Sequence, residues 1–200
     1  MVNWLKRWDI TSEELSQILE DRPSLRGMLF GYISEYKLIK LYFTDPRIEN
    51  LYQPDNHARK EKGDLVFIYK NTEIRVEVKS LQTHTIRRTD EGWKAKFQCD
   101  ASDRRKVTLP NGDELQTTCL LVGEFDLLAV NLFELFGQWK FAFAKNRDLP
   151  RSTYYKYTPE QREYLLATLM EMTWPLRPPF VADPFELLDE IVSEKKVKKL

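Results

Sequence analysis

The period of the hydrophobic pattern changes several times along the chain, and each change marks an element. Residues 64–69 read DLVFIY, a nearly continuous apolar run of the kind found in strands buried on both faces. Lys70, Asn71 and Thr72 interrupt it as a turn, with Asn71 suited to a left-handed conformation. Residues 73–79 then alternate strictly, so Ile74, Val76 and Val78 share one face while Arg75, Glu77 and Lys79 share the other. The two runs predict an antiparallel hairpin. A loop of two or four residues centred on Asn71 and Thr72 pairs Asp64 with Lys79 and Val66 with Glu77, which makes Asp64 a diagonal neighbour of Glu77 on one face. A three-residue loop turns Asp64 away.

Helical spacing governs both chain ends. Thr11 and Glu14 form a capping box for a helix carrying Leu15, Ile18 and Leu19 that ends near Pro23. A longer helix over about residues 24–43 aligns Leu25, Leu29, Tyr32, Tyr36, Ile39 and Phe43. Residues 44–62 have loop composition and include His57, read either as a candidate base or as a solvated loop histidine. Residues 93–99 alternate as a third strand, with Lys94, Lys96 and Gln98 on one face that is expected to adjoin Glu77 and Lys79. Residues 107–121 read as a hairpin around Asn111 and Gly112, and two apolar strands follow at 123–131 and 139–144. Thr158 and Pro159 open a helix carrying Leu165, Leu166, Leu169 and Met170, stopped at Trp174 and Pro175. Asp183 caps a last helix with Leu187, Leu188, Ile191 and Val192, and residues 194–200 are expected to be a frayed basic tail. The whole predicts one α/β domain over residues 1–200, with a mixed sheet built on the hairpin and flanked by helices from both chain ends.

Charge narrows the functional classes. The 31 basic residues are matched by 31 acidic ones, so a nucleic-acid-binding role requires positive charge concentrated locally. Cys99 and Cys119 are too few for a disulfide framework and lack zinc-site spacing. With no signal peptide and no long apolar run, the expectation is a soluble cytoplasmic protein without a membrane partner.

Candidate chemistry concentrates on the polar face of the hairpin. Carboxylates held a few ångströms apart repel, and desolvation worsens the repulsion unless a cation joins them. Few protein donors, all hard oxygens, suit magnesium, which keeps its waters and binds phosphates. Lys79 has an ordinary pKa of about 10.4, so a general-base role requires a strong downward shift; an orienting or charge-neutralising role does not. Glu35 lies one turn from Gly31 on the 24–43 helix, where an acid is costly unless satisfied. Three further groups are weaker. Residues 100–106 form a polar knot that binds or merely turns, and residues 146–157 mix Arg147, Arg151 and Lys156 with tyrosines. Glu124 and Asp126 flank a core strand without any spacing that ties them to the hairpin.

Gly63 and Asp64, twelve intervening residues, then Glu77, Val78 and Lys79 resemble the PD-(D/E)XK signature of restriction-endonuclease-like nucleases, with Gly63 where the signature names proline. The resemblance implies a restriction-endonuclease-like mixed sheet with a core antiparallel hairpin. It implies Mg2+, or Mn2+ in its place, bound by Asp64, Glu77 and the carbonyl of Val78, with Lys79 orienting or stabilising. It makes Glu35 a candidate accessory acid, the other reading being an exposed or salt-bridged glutamate. The implied activity is DNA endonuclease hydrolysis, type II restriction-like in a chain of this size, with a homodimer if both strands of a palindrome are cut. A repair nuclease would use the same residues, and the alternative from another class is a non-catalytic module binding nucleic acid or protein. The family's usual crossover helix has no counterpart in residues 107–121, where Pro110 and the Asn111-Gly112 turn argue against one.

Overall fold

The computed structural model describes residues 2–54 and 62–197; His57 lies outside the described residues. Its helices are α1 (Trp4–Trp8), α2 (Ser12–Asp21), α3 (Pro23–Leu38), α4 (Phe133–Phe136), α5 (Pro159–Tyr164) and α6 (Pro184–Val197). Its strands are β1 (Ile48–Tyr52), β2 (Leu65–Tyr69), β3 (Thr72–Ser80), β4 (Arg87–Thr89), β5 (Gly92–Gln98), β6 (Asp100–Thr108), β7 (Glu114–Cys119), β8 (Leu127–Asn131), β9 (Phe141–Lys145) and β10 (Leu169–Trp174). The fold is α/β, with a mixed central sheet of order β1-β2-β3-β8-β9 in which β3 and β8 run parallel and every other neighbour is antiparallel.

Both faces of that sheet are covered over β2, β8 and β9, which is why those strands read as nearly continuous apolar runs. Every residue of β8 and β9 is buried. On one face Phe67, Val76, Ala129 and Phe143 pack with Leu38 and Phe43 at the end of α3 and its π-helical extension, and with Leu187, Leu188, Ile191 and Val192 of α6. The helices from the two chain ends thus share one face. The opposite face, with Leu128, Val130, Ala142 and Ala144, packs on Phe97, Met170 and Met172 of a second sheet, ordered β10-β5-β4.

The hairpin register differs from expectation by two residues. Leu65 pairs with Val76 and Tyr69 with Thr72, so the turn is Lys70-Asn71. Both turn residues have positive φ, +49° and +59°, as a two-residue turn matched to the strand twist requires. Thr72 is β-branched and stays in the strand, where extended backbone suits it. A shift of two leaves every side chain on its expected face.

Other expectations are corrected. The neighbour of β3 is β8, not residues 93–99, which form β5 in the second sheet and touch β3 only at its end, through a Leu81–Phe97 bridge. Lys94 accordingly pairs with Glu171 of β10, away from Glu77. The connection between the parallel strands β3 and β8 carries β4 to β7, and the hairpin of β6 and β7 replaces the crossover helix. The helix opened by Thr158 stops at Tyr164, because Met170 and Met172 alternate with exposed Leu169 and Glu171 and so fit a strand against β5. Residues 48–52, read as loop, form the edge strand β1, shortened by a register irregularity at Asn50, whose φ is +52°. The last helix continues to Val197, past the expected point of fraying, because Lys195 reaches back to Asp126 Oδ2 at 2.6 Å and the Glu73 carbonyl at 2.8 Å; residues 198–200 lie outside the described residues.

Gly63 delivers the chain into β2 with φ +85°, and a Cβ there would stand 3.0 Å from the Val76 carbonyl oxygen. Gly63→Ala is therefore expected to cost about 1–2 kcal/mol, read as a lower urea midpoint. An unchanged midpoint would contradict this close approach.

Candidate active site

The ladder between β2 and β3 ends at Leu65 and Val76, and the site lies just beyond that end. The Asp64 amide donates to the Val76 carbonyl at 2.8 Å, which anchors the residue ahead of the strand. Asp64 Oδ2 in turn accepts the Val78 amide at 2.6 Å. The N–H and C=O of one strand residue project to the same edge, so the Val78 carbonyl also faces the corner occupied by Asp64. On the polar face of β3, Lys79 Nζ lies 2.6 Å from Glu77 Oε1. The alternation of β3 changes character along its length: Glu73 and Arg75 are exposed, whereas Glu77 retains 9% of its accessible surface.

These residues line one wall of an open cleft of about 860 Å³. Glu35 of α3 enters it from a second side, held by Gln53 Nε2 at 2.7 Å from Oε2. Residues 100–106 of β6 form the facing wall, with Lys62 and Glu124 at its margin. Asp64, Glu77, Lys79 and Glu35 are thus brought to one cleft, whereas Lys94, Lys96 and Gln98 do not line it.

Burial and mutual repulsion dominate the electrostatics. Burial pushes Glu77 up to about 7, Asp64 pushes in the same direction, and Lys79 only partly opposes them. Asp64 is raised by burial, although Lys79 and the Val78 amide favour its charged form. Burial also raises Glu35, with Gln53 opposing and Glu77 adding repulsion. Lys79 behaves oppositely: burial disfavours its charge, yet Glu77 and Asp64 outweigh burial and hold the ammonium above its usual range. Its proton is therefore harder to remove than in water. The Cys99 thiol is pushed up to about 12, chiefly by burial, which leaves no thiolate nucleophile there.

Among the described residues, no three His, Cys, Asp or Glu side chains converge as a ready-made metal cage. A buried Glu77, a half-buried Asp64 that repels it and a carbonyl turned to the same corner nevertheless fit an ion that takes one or two carboxylates and completes its shell with water. The donor set fits magnesium.

Glu124, which no spacing in the sequence ties to the hairpin, lies at the cleft. Arg105 grips both its carboxylate oxygens at 2.5 Å, the Leu121 amide donates at 2.8 Å, and Lys62 stands 3.3 Å away. Burial opposes this charge, but Arg105 overrides it and lowers the Glu124 pKa. This clasp ties β6 to the approach of β8. Asp126 belongs elsewhere, accepting the Arg75 amide at 2.9 Å and pairing with Lys195. In the basic and aromatic segment, Arg147 pairs with Glu194, Arg151 donates to the Leu149 and Arg147 carbonyls, and Tyr154 packs edge-to-face with Tyr155 and Tyr157. Cys99 and Cys119 are both buried free thiols. No helix among the described residues is long and apolar enough to cross a membrane.

No protein-family model matches the chain, and a search of curated proteins finds no match. Among solved structures the chain is similar to a bacterial homing endonuclease, I-Ssp6803I, at 16% identity and a TM-score of 0.38, over 69% of this chain and 87% of that one.

A titration prediction follows from Glu77. The folded chain keeps its proton to about pH 7, while the unfolded chain releases it near 4.5. The unfolded state therefore binds fewer protons in that window, and stability in chelator should fall as pH rises from about 4.5 to about 7, then level off. Urea midpoints of the wild type minus those of Glu77→Gln should show this fall. A difference that stays flat or rises would contradict the burial of this acid.

Proposed function

We propose that the chain is a magnesium-dependent endonuclease of the PD-(D/E)XK type that hydrolyses DNA phosphodiester bonds. The observation that carries this reading is the convergence of Asp64, Glu77, Lys79 and Glu35 on one cleft, with the two strand acids raised by burial and repulsion and the lysine held charged.

In this reading Asp64, Glu77 and the Val78 carbonyl hold the ion. When bound, magnesium acts as a Lewis acid on the phosphoryl oxygen and makes its water more acidic. Lys79 keeps its proton, so its role is to orient the attacking water and to neutralise charge growing on the phosphoryl oxygens. Its link to Glu77 Oε1 fixes the ammonium beside the ion site. Glu35, turned inward by Gln53, is an accessory acid that accepts hydrogen bonds from water at the cleft floor. On β6 Arg104 and Lys106 are exposed beside the cleft, Lys106 pairing with Glu114 at 2.7 Å and Asp100 and Asp103 lining the same stretch, so Arg104 is the cation there offered to a phosphate backbone. The cytoplasm and a restriction-like role belong to the same proposal.

Purified protein with Mg2+ or Mn2+ is expected to cut duplex DNA in a panel of diverse sequences and to lose activity in chelator. Glu77→Ala and Lys79→Ala should each slow cleavage at least about 100-fold, equivalent to about 2.7 kcal/mol of barrier, with unchanged circular dichroism. Lys79→Ala should slow the chemical step and spare metal binding. Folded protein that cuts no member of the panel with either metal would favour a non-catalytic module instead.

A further inference from the structure

Residues 149–158 carry three tyrosines, the cations Arg151 and Lys156, and no acid. Packing accounts for the innermost tyrosine. Tyr157 lies against the small core of Val107, Leu109, Cys119 and Leu165, and its hydroxyl shares a 2.7 Å hydrogen bond with the Thr117 hydroxyl of β7. Tyr154 rests edge-to-face on Tyr157 at 5.3 Å, and Tyr155 edge-to-face on Tyr154 at 5.0 Å. The three rings form a ladder that climbs out of this core, and Tyr155 at its end is 76% exposed. Lys156 Nζ stands 5.9 Å from the centre of that ring and makes no ion pair among the described residues.

The ladder is fixed at its base. Buried Ser152 donates its amide to the Leu165 carbonyl at 2.8 Å and accepts the Tyr154 amide at 3.3 Å. The Tyr157 amide returns to the Tyr154 carbonyl at 3.1 Å, and Thr158 then caps α5. The ladder also borders the cleft. Thr117 pairs with Arg105 across β6 and β7, and paired residues share a face; Arg105 lines the cleft. Burial raises the Tyr157 phenol above its usual value, while Thr117 and the Arg104 guanidinium oppose the rise, and Arg104 lines the cleft as well.

We propose that Tyr155, backed by Tyr154 and flanked by Lys156, is a stacking site for an unpaired base, and that the DNA taken by the cleft carries a single strand beside its duplex. Bases inside a duplex have both faces covered, so an exposed ring stacks only on a base that has left the helix. A tyrosine face accepts any base, and Lys156 and Arg104 are placed for the phosphates of the same strand. These cations, with no acid among residues 149–158, select a polyanion over an apolar peptide. That the strand belongs to DNA being cut rests on the proposed nuclease reading; capture of a single strand at Tyr155 does not.

Fluorescence anisotropy of a labelled oligothymidylate in chelator measures capture without cleavage. Tyr155→Ala should weaken binding of this strand about 10-fold, a larger loss than for a blunt duplex of the same length, and Tyr155→Phe, which keeps the ring, should restore it. A wild type that does not bind the strand, or a Tyr155→Ala loss that is absent or equal on the two DNAs, overturns the proposal. Should Tyr155→Ala fail to fold, photo-cross-linking of the wild type decides: a 5-iodouracil in the strand should attach to Tyr155, and cross-links confined to other segments overturn the proposal. With Mg2+, a duplex bearing a single-stranded tail should be cut faster than its blunt form, and equal rates overturn the substrate assignment. Capture at Tyr155 without cutting of any DNA supports the stacking site and fails only the nuclease reading.

Discussion

Two carboxylates from neighbouring strands share a desolvated corner, and their repulsion is the constraint around which the site is arranged. Water would relieve it, but Glu77 is nearly covered. Lys79 relieves part of it through Oε1 of Glu77, and the Val78 amide relieves part at Asp64. The remainder is visible in the raised pKa of both acids. A buried charge cluster left short of positive charge is costly to a fold, and a divalent cation held there would offset that cost.

The scaffold is suited to holding such a cost. β3 lies between β2 and β8, with α3 and α6 packed on one face and the β10-β5-β4 sheet on the other, so the backbone that carries Glu77 and Lys79 has little freedom to yield. The short reach of the β2–β3 ladder matters equally: it ends before Val78, which frees one edge of β3 for Asp64. Beyond it, the Arg105–Glu124 clasp keeps the β6 wall at the cleft while satisfying an acid that would otherwise add to the repulsion.

Much of this was legible in the sequence where one local rule dominated. Strict alternation over residues 73–79 identified the face shared by Glu77 and Lys79, and the Thr11–Glu14 box marked the start of α2. The co-facial placement of Asp64 survived a wrong turn centre because strand parity is insensitive to a shift of two. What was not legible depended on distant partners. Residues 93–99 look like any edge-paired strand, and only tertiary packing assigns them to β10 and β4 instead of β3. Leu169, Met170 and Met172 fit helix and strand periods alike over so short a run, and β5 decides between them. Glu124 gave no signal because its partners, Arg105 and Lys62, come from separate segments of the chain.

The central claim is that burial of the Asp64–Glu77 pair creates a cation site, and calorimetric titration of Mn2+ or Mg2+ into DNA-free protein tests it most directly. Because Glu77 keeps its proton to about pH 7, binding at pH 6.5 should release a proton, seen as a heat that varies with the ionisation enthalpy of the buffer. The account predicts a saturable site that weakens sharply in Asp64→Asn and loses its proton release in Glu77→Gln. Absence of saturable binding in the folded wild type, or binding that neither substitution alters, would contradict it.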